Sequence, residues 1–280
     1  MGPMKSFSGK VAAITGAGSG IGRALALRLA RRSCHLALCD VNERSLAGTV
    51  ESARRTGVKV TGDRVDVADR EAVYRWAARV AEEHGRVNLV FNNAGVALGS
   101  TIEGGSYEDF EWLFGTNFWG VVYGTKAFLP HLRASGEGHI VNVSSVFALI
   151  SVPGQGAYNA SKAAVRGFTD ALRMELEMCG APVSATSVHP SGINTNIALS
   201  SRSNASIKAL GLDEEGGREK FDKLLVTDAD EAARAILRAV EKNKRRVLLG
   251  REAYFIDGMV RLLPSAYQHA VKRFVLRSLG

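Results

Sequence analysis

The chain of 280 residues is expected to fold as α/β, a doubly wound parallel sheet of about seven strands with helices on both faces. Three observations predict this. Short apolar, β-branched runs alternate with helical patterns of roughly 10–25 residues, which calls for right-handed crossovers between parallel strands. A glycine cluster stands between the first run and the first helical pattern. The composition, 46% hydrophobic and 23% charged, is ordinary for a globular protein, and the length suffices for one large core.

The elements follow in order. Lys10–Thr15 reads as a buried first strand, with a helix from about Gly20 to Arg32. His35–Asp40 is the second strand, followed by a polar helix. Val58–Val65 is the third strand, Glu71–Glu83 the third helix and Val87–Asn92 the fourth strand. A long helical stretch covers about 107–134, with Pro130 near its end. His139–Ser144 is the fifth strand, and the next helix carries Tyr158 and Lys162 to about Cys179. Val183–His189 is the sixth strand and Arg246–Leu249 a seventh. The segment 194–225, rich in Ser, Asn and Gly, breaks this rhythm just past the sixth strand. Ligands of such sheets bind beyond the C-terminal strand ends, so it is expected to be a substrate lid. One domain is expected over 1–252, with 253–280 as a basic amphipathic extension.

No apolar run reaches 18 residues, so no spanning helix is expected, and the start lacks the apolar stretch of a secretory signal. Cys34, Cys39 and Cys179 suggest neither a disulfide framework nor a metal site; they read as buried thiols of a cytoplasmic protein. The net charge of +8 is uneven: residues 241–280 hold nine Lys/Arg against three Asp/Glu. No nucleic-acid motif accompanies it.

The glycines of Thr15-Gly16-Ala17-Gly18-Ser19-Gly20-Ile21-Gly22 let a pyrophosphate approach a helix N-terminus, whose N–H groups and dipole favour an anion. Asp40 ends the second strand, where a carboxylate accepts from ribose hydroxyls and repels a 2′-phosphate; a cap for the next helix is the other reading. Arg23 and Arg44 are its nearby cations. NAD is preferred over NADP on these grounds. Asp66 ends the third strand, placed for an adenine amino group or for a turn. Asn117 sits mid-helix, where an amide needs a task. Tyr158 and Lys162 lie one helical turn apart, with Ser145 thirteen residues upstream. A phenol titrates near pH 10, and lowering it by about three units takes roughly 4 kcal/mol. An ammonium about 4 Å away at an effective dielectric near 20 supplies about that much, so the pair can serve as an acid–base device.

Together these signatures resemble the short-chain dehydrogenase/reductase family in its compact, single-domain Rossmann form: T-G-x-x-x-G-x-G at 15–22, N-N-A-G at 92–95, then Asn117, Ser145, Tyr158 and Lys162, over roughly residues 8–250. The resemblance implies a catalytic set. Tyr158 is the proton carrier, Lys162 lowers its pKa and holds the nicotinamide ribose, Ser145 rather than Ser144 bonds the substrate oxygen, and Asn117 holds a relay water. It implies cofactor contacts from Gly16, Ser19, Gly20, Ile21, Asp40, Asp66, Val67, Asn93 and Gly95, with Tyr158 and Lys162, and from Ile193 and Thr195 to the carboxamide. No metal is implied, and a homodimer or homotetramer is. Ser191 departs from the family's glycine after Pro190, which predicts local strain if that position needs positive φ.

The expected pocket lining is Val96, Ala97, Leu98, Phe147, Leu149 and Ile150. That set carries no charge, so an apolar secondary alcohol or ketone is the expected substrate. The alternatives are an NADP-dependent ketoreductase, or a non-catalytic NAD-binding protein held at a membrane by its C-terminal helix. In that extension Pro264 is placed in the first turn of a helix, with Tyr267, Ala270, Val271 and Phe274 on one face. Packing on the same domain or an oligomer interface is the reading preferred over weak membrane contact.

Overall fold

Strand β1 (Val11–Thr15) is buried at every position, as an unbroken apolar run must be when helices cover both faces of its sheet. It pairs in parallel with β2 (His35–Asp40) and β4 (Leu89–Asn92). Strands β3 (Val60–Arg64), β6 (Gly138–Val143), β7 (Val183–Pro190) and β9 (Arg246–Leu249) complete a parallel sheet in the order β3-β2-β1-β4-β6-β7-β9. The computed structural model describes residues 4–193, 201–211 and 227–277. The chain winds outward in both directions from β1 and β4, which places a crevice at their C-terminal ends.

Helices α1 (Gly20–Ala30), α2 (Glu43–Arg54) and α7 (Ala229–Glu241) contribute to one apolar layer. Helices α3 (Arg70–His84), α5 (Gly120–Ala134) and α6 (Gly156–Met178) contribute to the other. Side-chain oxygens of Asn42, Asp69 and Asp228 accept from the first-turn N–H groups of α2, α3 and α7, fixing where those helices start. Gly85, at φ 74, closes α3 in the left-handed conformation.

The expected helix over 107–134 is three pieces. Helix α4 (Tyr107–Phe114) passes into a π-helical turn, Gly115–Trp119, before α5 begins. Apolar periodicity cannot reveal a one-residue expansion inside a continuous helix. A two-stranded ribbon, β5 (Leu98–Gly99) with β8 (Arg202–Ser203), was not expected, because two residues carry no period. Of the segment expected as a lid, residues 201–211 are described and the rest lies outside the described residues. Cys34 and Cys39 are buried as expected, but Cys179 is exposed at the end of α6, past that helix's last buried residue, Leu176.

The C-terminal segment forms two helices, α8 (Arg251–Leu262) and α9 (Tyr267–Arg277). Pro264 lies in the turn between them rather than in a first helical turn. Of the expected stripe, Tyr267 is buried, while Phe274 is 63% exposed. Among the described residues, no helix is long and apolar enough to cross a membrane.

Several polar side chains inside the sheet are bonded to one another and to the flanking helices. Asn92 donates to Thr125 Oγ1 and Asn142 Oδ1, and Asn142 donates to Thr169 Oγ1. Thr186 donates to the Lys244 carbonyl at 2.6 Å, so its oxygen accepts from His139 Nε2 at 2.8 Å, which sets the imidazole tautomer. Burial, aided by the nearby Arg173 charge, pulls the His139 pKa down to about 3. The unfolded chain, with an ordinary imidazole near 6.5, therefore takes up this proton first as pH falls. The contribution of His139 to stability is whole above pH 6.5 and declines from there toward about 3. Denaturation midpoints followed on the acid side of neutrality are expected to fall more shallowly in His139→Asn than in the wild type, by up to about 1.4 kcal/mol per pH unit. Identical slopes would remove His139 as the proton acceptor.

Candidate active site

The glycine turn after β1 is shaped by close approaches. Gly16 is at φ 64, and a Cβ there would lie 2.9 Å from the Ala94 Cα. A Cβ on Gly22 would overlap the Gly16 carbonyl oxygen. The Asn93 amide donates to the carbonyls of Thr15 (3.0 Å) and Gly16 (3.2 Å), tying the turn to the end of β4. Helix α1 starts without a side-chain cap at Ser19 and with no acidic residue in its first turn. Its leading N–H groups, beside Ser19 and Gly20, are thus suited to an anion. Ile21 turns its side chain into the core. This turn fits the pyrophosphate of a dinucleotide, since it leads straight into uncapped first-turn N–H groups with no acidic side chain beside them.

Asp40 stands at the rim of the same turn. Its carboxylate accepts from Gly18 N and Asn42 N, both at 2.9 Å, so it shapes the turn and opens α2 while keeping lone pairs for a ligand. Asp66 accepts from Ala68 N at 2.9 Å, the turn role left open by the sequence. Val67 is buried under Gly120, which has no room for a Cβ. Ile193 is buried and bridges to Thr227. Thr195 lies outside the described residues. Ser191 does not have positive φ, so the strain expected there is absent.

Four residues meet at the C-terminal ends of β4 and β6. Ser145 accepts from Phe147 N at 3.1 Å, and its hydroxyl lies near enough to the Tyr158 phenol to hold that group's pKa down. Ser144, the neighbour set aside in the sequence, donates its hydroxyl to the Lys162 carbonyl at 2.8 Å and so is occupied elsewhere. Lys162 is 2% exposed; its ammonium donates to the Val143 carbonyl at 3.1 Å and lies 5.7 Å from the centre of the Tyr158 ring. Asn117 is fully buried in the π-helical turn. It accepts from Val96 N at 2.8 Å and donates to Val96 O at 2.9 Å, so its amide grips the segment after β4. A Cβ on Gly95 would lie 3.3 Å from both Asn117 Oδ1 and Lys162 Nζ, which brings that glycine, amide and ammonium together.

The electrostatics differ from the sequence expectation. Burial pushes the Tyr158 phenol up, and the Ser145 hydrogen bond pulls it partly back. The ammonium expected to lower it is itself desolvated, with its pKa drawn down to about 8. The two buried groups thus resist charging together.

His189 was legible only as the end of the sixth strand, yet it supports the site. Its Nδ1 donates to the Ser145 carbonyl at 3.0 Å, so the neutral ring accepts from Ser187 through Nε2 at 2.9 Å. Burial holds its pKa at about 4, keeping that tautomer neutral. Around Tyr158 gather Val96, Ala97, Leu98 and Phe147, as expected, together with Phe110, Trp112 and Leu113 of α4, which the sequence did not single out. Leu149 also packs with Val146 against α8, and Leu149 and Ile150 line a groove together with Phe147. Arg202 lies 4.0 Å over the Trp112 ring and bonds Asp109, so one cation does reach the edge of this apolar wall.

Comparison with known proteins agrees with this geometry. The family model of short chain dehydrogenases matches residues 10–206. The putative oxidoreductase SadH of Mycobacterium tuberculosis is 51% identical over 96% of both chains. Epidermal retinol dehydrogenase 2 of Mus musculus is 34% identical over 94% of this chain and 81% of its own length. Among solved structures, a short chain dehydrogenase/reductase from Burkholderia phymatum in complex with NAD superposes with a TM-score of 0.86 at 33% identity, covering 93% of this chain and 96% of that one.

The glycine turn offers a direct test. Gly22→Ala is expected to cost about 1–3 kcal/mol in chemical denaturation, because the new methyl overlaps a backbone oxygen that cannot swing aside. Gly48→Ala, on an open face of α2, is expected to be neutral or to stabilise by up to about 1 kcal/mol. Equal effects at the two positions would discount the close approach.

Proposed function

The chain belongs to the short-chain dehydrogenase family, and on that premise we propose an NAD-dependent oxidoreductase acting on an apolar secondary alcohol or the matching ketone. The observation that carries this reading is the convergence of the Tyr158 phenol, the nearby Ser145 hydroxyl and the Lys162 ammonium, 5.7 Å from the Tyr158 ring, within an apolar wall. Ser145 orients the substrate oxygen. Tyr158, kept protonated at neutral pH by its burial, donates to the carbonyl oxygen in reduction and takes the proton back in oxidation. Lys162, titrating near 8, stabilises the phenolate when that proton has left and bonds the ribose beside it. Asn117 has both side-chain atoms engaged by Val96, so its part is to hold the π-helical turn, where a relay water would be carried. The nicotinamide, when bound, supplies or accepts the hydride.

Gly16, Ser19, Gly20, Ile21 and Asn93 form the pyrophosphate cradle in this reading, with Asp40 on the adenosine ribose, Asp66 and Val67 at the adenine, and Gly95, Ile193 and Thr195 toward the nicotinamide. NAD rather than NADP is favoured because a 2′-phosphate would set an anion against the Asp40 carboxylate, itself held at 2.9 Å from Gly18 N. The NAD found with the Burkholderia phymatum relative supports the same choice. An apolar substrate is supported by the wall around Tyr158 and by the mouse relative's name, since retinol is an apolar alcohol, though a primary one. Residues 1–252 form the catalytic domain in this reading. Assembly as a homodimer or homotetramer is supported by exposed Trp119, Met174 and Met178 on the outer side of the π-helical turn and α6.

Two experiments test the reading. Tyr158→Phe is expected to lower kcat at least about 100-fold while leaving NADH affinity, read by fluorescence titration, within about twofold. Wild-type turnover of a secondary alcohol panel by that variant would take Tyr158 out of the chemistry. Asp40→Ser is expected to shift the NADP-to-NAD ratio of kcat/KM upward by about tenfold or more, because it removes the repelling charge. An unchanged ratio would detach Asp40 from cofactor choice.

A further inference from the structure

Helix α8 has two apolar faces, and among the described residues only one of them is packed into the fold. Its inner face packs Ala253, fully buried, and Ile256 against Val146, Leu149 and Leu248. Its outer face carries Tyr254, Phe255 and Leu262, at 62%, 72% and 83% exposure, and Leu263 follows in the turn. Phe255 and Leu262 are seven residues apart and so share one stripe along the helix. Arg251 and Arg261 flank the stripe, and Lys272 and Arg273 are exposed on α9 close by in the chain, where Phe274 and Leu276 are exposed too. The rim keeps a net positive charge: Asp257 is engaged by Arg246 at 2.7 Å and offsets Arg261 at 3.0 Å, while exposed Glu252 stands against Arg251, Lys272 and Arg273.

We propose that α8, the turn after it and α9 form a docking surface for an anionic lipid bilayer. Aromatic and leucine side chains bounded by arginine and lysine suit the boundary between headgroups and acyl chains. Charge decides between this occupant and a second copy. A two-fold contact would lay the stripe on itself and bring like-charged rims face to face, whereas an anionic headgroup layer complements them. The place of the surface in the fold gives it a purpose. Helix α8 packs on the helical turn Val146–Ala148 that follows Ser145, and Phe147 of that turn meets Tyr158 edge to face at 6.0 Å. A groove of about 640 Å3, walled by Ile102, Phe147, Ile150 and Val271, runs between that segment and α9. An apolar alcohol dissolved in the bilayer would reach the site from this side. That delivery rests on the function proposed above; the docking rests on the surface alone.

The test is co-sedimentation of the full chain, without cofactor or substrate, with vesicles of phosphatidylcholine and with vesicles that also contain phosphatidylglycerol. Binding to the anionic vesicles at low salt is expected, weakening about tenfold or more at high salt or without the anionic lipid. Phe255→Ser with Leu262→Ser should abolish most of it, as should Arg251→Glu with Lys272→Glu. All four positions are exposed, so both variants should keep the wild-type melting temperature and turnover of a water-soluble alcohol. Three results would overturn the proposal: no sedimentation with anionic vesicles at low salt, undiminished binding by the Phe255/Leu262 variant, or a halved molar mass of that variant in light scattering, which would give the stripe to a second copy. Vesicle binding by a chain that turns over no alcohol would uphold the docking and refute the delivery.

Discussion

Lys162 is a cation taken out of water, and much of the site is arranged around that fact. An ion buried without partners costs several kcal/mol, so its surroundings must supply hydrogen bonds in advance. Here both ends of the residue are tied to the end of β6. The ammonium donates to the Val143 carbonyl, and the Lys162 carbonyl accepts from Ser144. These two bonds fix the first turns of α6 on the sheet and thereby place Tyr158. Gly95 sits in the same crowding, where a Cβ would lie 3.3 Å from the ammonium and from Asn117 Oδ1. Asn117 in turn needs the π-helical turn to bring both of its amide atoms to Val96. A single desolvated charge thus links β4, β6, the turn before α5, and α6.

The polar groups in the sheet serve the same precision at lower cost. The Thr125–Asn92–Asn142–Thr169 chain crosses from α5 through β4 and β6 to α6 in an otherwise apolar layer. Gly124 stands against the Asn92 amide oxygen, so even this helix approaches the strand as closely as backbone allows. His189 holds the Ser145 carbonyl from β7 and leaves the serine hydroxyl for Tyr158. Neutral, hydrogen-bonded side chains can do this in a low-dielectric interior where a charged one would demand a counterion.

The basic character of the chain divides by element. On α1, Arg28 and Arg32 are bonded by Asp230 and Glu241 of α7, so positive charge there is spent on joining two helices. On α8 and α9 the cations edge exposed aromatic and aliphatic side chains instead. Helix α7 shows what a fully used amphipathic helix looks like here, with Ala232, Ala233, Ile236, Leu237 and Val240 all buried. The net charge alone drew no such distinction.

The sequence by itself determined the strand-and-helix alternation, the glycine turn, and the residues that meet around Tyr158, since period, spacing and turn chemistry are local properties of the chain. Strands β2 and β9 begin and end where the apolar runs do, and other boundaries moved by one or two residues. Tertiary structure decided what no local pattern carries. The expanded turn at Asn117 exists because a distant backbone segment, at Val96, is there to receive its amide. Phe110 and Trp112 join the wall around Tyr158 because α4 folds over α6, and Leu149 also meets α8, which supplies another apolar surface. The upward push on Tyr158 and the downward pull on Lys162 come from desolvation by the whole fold, which acts against the pairwise attraction their spacing suggests.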